Sequence, residues 1–196
     1  MSEAYEVNSK AGRKVSRTEI MSNQDYAKIR DGFRQKVLAQ KEDRRIHVGE
    51  HLTFLFENHD TVHYQIQEML RVENTTGEKE IQHELTTYNE LIGTKGTLGC
   101  TLLIEIADPI ERDNLLKQWL NLPQHIYLKT QSGSRIKPIF DQKQIGETRI
   151  SSVHYIHFEL GDQVPVSIHC DHKGINAETK LNPNQIAALC KDLMAR

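Results

Sequence analysis

Residues 100 to 107 read CTLLIEIA, a near-continuous apolar run of strand length that follows the glycine-bearing GTKGTLG and stops at Asp108-Pro109. Such a run predicts a central strand buried on both faces, because a strand with one wet face alternates apolar and polar residues. A chain containing it must also supply flanking strands and a covering layer. Arg45 to Val48 and His51 to Phe56 (HLTFLF), arranged around Gly49-Glu50, predict a strand or hairpin. Downstream, HIYLKT, RIKPIF, RISSVHYIHFEL, VPVSIHCD and GINAETKL alternate with the turn signals SGS, QKQIGE, GDQ and HKG, so the C-terminal half is expected to be mostly antiparallel sheet.

The covering layer is helical. From Asn23, the residues Tyr26, Ile29, Phe33, Val37 and Leu38 recur at intervals that predict one buried helix face. In HDTVHYQIQEMLR the stripe is Val62, Ile66, Met69 and Leu70, with Asn58, Asp60 and Thr61 placed to cap the helix start. EKEIQHELTTYNELI repeats the design through Ile81, Leu85, Tyr88 and Ile92, and the short connection predicts a helical hairpin. A further helix is expected after Asp108-Pro109, its inner side formed by Ile110, Leu115, Trp119 and Leu120. The last starts near Asn182-Pro183, with Ile186, Leu189, Cys190 and Leu193 inward. GTKGTLG precedes a strand, so it predicts a flexible connection and no phosphate loop. The reading is an α+β fold: a flexible N-terminal arm over residues 1–16, then a single domain over 17–196 with a helical N-terminal half packed on the sheet.

With 25 Lys and Arg against 27 Asp and Glu, the chain lacks the positive field that nucleic acid binding exploits. KVLAQKEDRR, residues 36–45, reads as the solvated end of a helix. No segment approaches a membrane span, and the three cysteines, Cys100, Cys170 and Cys190, form no CxxC pair. A cytoplasmic protein with reduced thiols is the expectation.

Two constellations could carry chemistry. In the hairpin, Glu57, Glu68, His83 and Glu84 could converge on a transition metal ion; Glu80 and His83 share a helix face at the spacing of ferritin-like carboxylate sites. Only one such motif is present, which favours a packing alternative in which Glu68 pairs with Arg71 and His83 and Glu84 sit on a polar flank. The weaker candidate is His169, Asp171 and His172. Strand alternation puts His169 and Asp171 on one face and Cys170 and His172 on the other, and pairing His157 with His169 depends on a register the sequence does not give.

The runs RRIHVGEHLTFLFENHDTVHYQIQEMLR, IQHELTTYNELI and TLLIEIADPIERD, with Asp171-His172 near the end, resemble the bacterial family catalogued as domain of unknown function 3501. The likeness runs from about Lys14 through Leu193. It implies a bacterial cytosolic protein whose relatives are often encoded near rubrerythrin-like and iron-sulfur proteins, a context that suggests redox or oxygen-stress work. The chain departs from the family pattern at Gly93, where a proline often follows, and at Lys173-Gly174. The matching residues include Glu57, Asn58, Asp60, Gln67, Glu68, Arg71, Tyr88 and Asn89, which could line a polar cleft or form a hydrogen-bonded junction. Three functions follow as expectations: an accessory protein docking to a redox partner, a metal-dependent enzyme using iron, manganese or zinc, or a ligand-binding homo-oligomer.

Overall fold

The structure, a computed structural model, describes residues 12–195. Its elements are α1 (Asn23–Glu42), β1 (Arg45–Val48), β2 (Leu52–Glu57), α2 (His59–Val72), α3 (Glu78–Asn89), β3 (Thr97–Ile104), α4 (Pro109–Gln118), β4 (Ile126–Thr130), β5 (Arg135–Ile136), β6 (Ile139–Phe140), β7 (Val153–Glu159), β8 (Pro165–His172), β9 (Ile175–Lys180) and α5 (Pro183–Met194). The α+β architecture holds, with the helical hairpin in the N-terminal half. The strands form two antiparallel sheets in the orders β1-β2-β3-β7-β6 and β5-β4-β8-β9. Residues 100–104 of the apolar run lie in β3, central in the larger sheet between β2 and β7, and the last three follow the strand. No described helix is long and apolar enough to cross a membrane.

Inward residues of both sheets share one core. Phe54, Phe56, Leu102 and Ile156 come from the larger sheet, Leu128 and Ile168 from the smaller, and Trp119, Leu122 and Leu189 from the connecting helical segments. A second, separate core joins Val62, Ile66 and Leu70 of α2 to Ile81 and Leu85 of α3 and to Val15 and Ile20.

Several expectations change. Residues 1–11 of the anticipated arm lie outside the described residues, and Val15 is buried, so its later part is packed. Tyr26 and Val37 are buried as expected, but Ile29 and Leu38 are exposed, because α1 presents a narrower face than its apolar residues suggest. In α4, Ile110 is exposed and Leu116 buried; the helix begins at Pro109, and its short inner side is set by the turn nearest Trp119. Residues 36–45 do span the end of α1 and are mostly exposed or half-buried, but Arg44, just past the helix, is buried against Asp192 of α5, with Nε to Oδ2 at 2.7 Å and Nη2 to Oδ1 at 3.0 Å.

RIKPIF is two strands in different sheets, divided at Pro138, which cannot donate to a ladder. β7 and β8 also lie in different sheets, so His157 and His169 form no cross-strand pair. GTKGTLG is packed, not loose: a Cβ on Gly99 would lie 1.8 Å from the Leu91 carbonyl oxygen, and one on Gly93 would lie 2.1 Å from that of Thr97.

Candidate functional site

At the strand-to-helix junction, Asn58 caps α2 by accepting from the amides of Asp60 and Thr61, at 3.0 and 3.1 Å. The Thr61 hydroxyl in turn accepts from the Asn58 amide and donates to Glu57, which also accepts from Thr101 at 3.1 Å. Burial pushes the Glu57 carboxyl above its ordinary value, offset in part by the nearby Lys41 ammonium. A carboxyl already bonded to two hydroxyls in a buried niche has little room for a metal ion.

Glu68 faces α1. It accepts from Tyr26 at 2.8 Å, from Arg30 through Nε at 2.8 Å and Nη2 at 2.9 Å, and from Arg71 at 3.1 Å. The bonds from Arg30 outweigh partial burial and, with Arg71 and Tyr26, hold its carboxyl at about 2. The predicted pairing with Arg71 is present, but Arg30 and Tyr26, one helix away, were not legible.

Gln67 and Asn89 have a different use. The buried Gln67 accepts from the Met21 amide at 2.7 Å, and its Nε2 donates to the Met21 carbonyl at 3.4 Å. Asn89 accepts from the Val15 amide at 2.7 Å and donates to the Val15 carbonyl at 2.9 Å. Two side-chain amides thus imitate strand partners and strap residues 15–21 across the hairpin. Asp60 accepts from Gln40 of α1 at 2.9 Å, while Tyr88 packs partly buried against the second core. The candidate polar cleft is therefore a set of separate hydrogen-bonded junctions, in which Asn58 Nδ2 and Arg71 Nε are buried without a partner among the described residues.

His83 and Glu84 lie elsewhere, in an open depression on α3 shared with Glu73, Lys79 and Glu80. Burial and Glu73 raise the Glu84 carboxyl while His83 lowers it. The structure thus leaves Glu57, Glu68 and the His83-Glu84 pair in three separate surroundings. Among the described residues no group of three or more His, Cys, Asp or Glu side chains is arranged to hold a metal ion.

The weaker set also separates. His169 stacks on Tyr127, with centroids 4.7 Å apart, and its Nε2 lies 2.9 Å from Glu178 and 2.9 Å from the Ser167 hydroxyl. Asp171 and His172 instead join two residues the sequence reading missed. His125 Nδ1 is 3.0 Å from Asp171, Asn121 Nδ2 is 3.0 Å from His125 Nε2, and His172 Nε2 is 3.1 Å from Asn121 Oδ1. Asn121 and His125 sit on the tight helical turn before β4, four residues apart, a spacing that carries no signal without the β4-β8 register.

A family model described as "Protein of unknown function (DUF3501)" matches residues 14–193. The chain belongs to the DUF3501 family. A crystal structure of a novel protein of unknown function from Burkholderia pseudomallei K96243 is similar across 92% of this chain and 99% of that one, with 30% identity and a TM-score of 0.84. Comparison with curated proteins returns no match.

Proposed function

We propose that this DUF3501 protein is a cytoplasmic accessory protein that binds a partner in a redox or oxygen-stress system, the partner being a rubrerythrin-like or iron-sulfur protein. The observation that carries this reading over a metal enzyme is the state of Glu68. An ion placed there must displace two guanidinium groups and a phenol that already fill the carboxylate. A binding role needs an available surface. Ile139 pairs with His157, which puts it on the same sheet face as Val153 and Tyr155, and all three are exposed beside the edge strand β6.

The test combines elemental analysis with calorimetric titration against a purified rubrerythrin-like protein. Metal-free, folded protein that binds the partner, with binding lost in Val153→Lys and Tyr155→Ala, supports the reading. Near-stoichiometric iron, manganese or zinc, lost in folded Glu68→Ala or His83→Ala, overturns it in favour of the enzyme. The same exposed face favours one second reading, a homo-oligomer, which solution mass by light scattering distinguishes.

A further inference from the structure

The hydrogen-bond chain at the end of the smaller sheet fixes its own proton positions. The Gly174 amide can only donate, and it meets His172 Nδ1 at 3.1 Å, so that nitrogen accepts and the proton of His172 is on Nε2. His172 Nε2 therefore donates to Asn121 Oδ1, which turns the Asn121 amide nitrogen toward His125 Nε2. His125 Nε2 then accepts, and its proton lies on Nδ1, donated to Asp171. Reversing Asn121 fails at both ends: it sets two donors face to face at Gly174 and two acceptors face to face at Asp171. His125 Nε2 thus accepts the Asn121 amide proton, and its ring is oriented by the Asp171 carboxylate at Nδ1.

His125 stands where two open depressions meet, of about 510 and 590 Å³. Trp119, His172 and Lys173 line the first; Tyr127, Arg135, Lys137 and Asp171 line the second. The Arg135 guanidinium lies over the Tyr127 ring, 4.7 Å from its centroid, and Tyr127 stacks in turn on His169. Among the described residues, Arg135, Lys137 and Lys173 have no carboxylate within ion-pair distance. The carboxylate in the lining, Asp171, already accepts from His125. Three uncompensated cations around His125, with Arg135 and Lys137 in one depression and Lys173 in the other, describe a site for an anion.

We infer that this double cleft binds the phosphate group of a small molecule, with Arg135 and Lys137 as its charge partners in one depression and Lys173 reaching it from the other, past His125. A planar guanidinium, braced on an aromatic ring, matches phosphate oxygens better than a lone ammonium does. The inference concerns a different face from the proposed partner surface, so either can fail alone.

The experiment follows imidazole nitrogen resonances of the full chain by NMR while inorganic phosphate, phenyl phosphate or acetate is added at constant ionic strength. Saturable shifts at His125 and His172 with phosphate or phenyl phosphate, and none with acetate, support the site. Tighter binding of phenyl phosphate assigns it to monoesters, and tighter binding of inorganic phosphate to the free ion. The Arg135→Ala, Lys137→Ala double variant is expected to weaken binding by about tenfold or more, since charge-assisted bonds are lost. Glu178→Gln, beside His169, leaves affinity unchanged. Absence of saturation, equal shifts with acetate, or undiminished affinity in a double variant with wild-type circular dichroism overturns the inference.

Discussion

Glu68, on α2, meets Tyr26 and two arginines with little of its side chain in water, whereas Asp171, at the end of β8, accepts from His125 and leaves half of its side chain exposed. Both are carboxylates in clusters rich in hydrogen-bonding groups, and both stand out in the sequence. Glu68 belongs to a helical half whose polar groups mostly bond within the chain: Gln67 and Asn89 strap residues 15–21, Asn58 caps α2, and Arg44, just after α1, pairs with Asp192 of α5. The Asp171 cluster opens onto two depressions and contains cations with no carboxylate opposite them. Enclosed polar groups hold a fold because an unpaired one is expensive when buried. Open ones are held loosely enough to exchange a partner for a ligand.

The comparison breaks most visibly at Arg44 and Asp192, whose side chains are 8% and 6% exposed. Asp192→Ala leaves a buried guanidinium unpaired and should destabilise by about 3–5 kcal/mol. Urea unfolding measures it, and a loss within the scatter of surface substitutions would mean that the seam is not closed. Next come the straps. Gln67→Ala and Asn89→Ala each orphan a backbone amide and carbonyl, for about 1–3 kcal/mol apiece. Hydrogen exchange should quicken at Met21 in the first and at Val15 in the second, with the remaining strap still protected.

Glu68, like Glu19, contributes to the pH dependence of stability. Pairing lowers its folded-state value from 4.5 to about 2, so its contribution is complete above 4.5 and is lost as pH falls toward 2. Thermal midpoints of the wild type should therefore fall more steeply over that window than those of Glu68→Gln, which has no such proton to take up. Parallel curves would show that the arginines contribute nothing to folding.

Local rules made much of this fold legible. Asn58, Asp108 and Asn182 announce helix starts, and the unbroken apolar stretch in β3 announces a central strand. Gln67 could be named only as a candidate for a polar cleft or junction, because helical periodicity ranks positions by apolarity and a buried amide that holds distant backbone has no periodic signature. The division of RIKPIF between sheets and the placement of β7 and β8 depend on long-range pairing, which composition does not encode. Of the open cluster, Asp171 and His172 were visible as neighbours. His125 is 46 residues from Asp171, and only the β4-β8 ladder brings it there.

The smallest expected effect is therefore the sharpest test of the contrast. The side chains of His125 and Asp171 are 35% and 50% exposed, so water can replace either partner and solvent screens their attraction. Asp171→Asn should change unfolding free energy by no more than about 0.5 kcal/mol, the range of ordinary surface substitutions. It should nevertheless weaken the hold on the His125 tautomer, visible as a change in the relative Nδ1 and Nε2 nitrogen shifts. A stability loss matching that of Gln67→Ala would place Asp171 among the structural carboxylates and erase the distinction between the two regions. An unchanged fold with an altered His125 ring would mean that its hydrogen bonds orient a group for contact with something outside the chain.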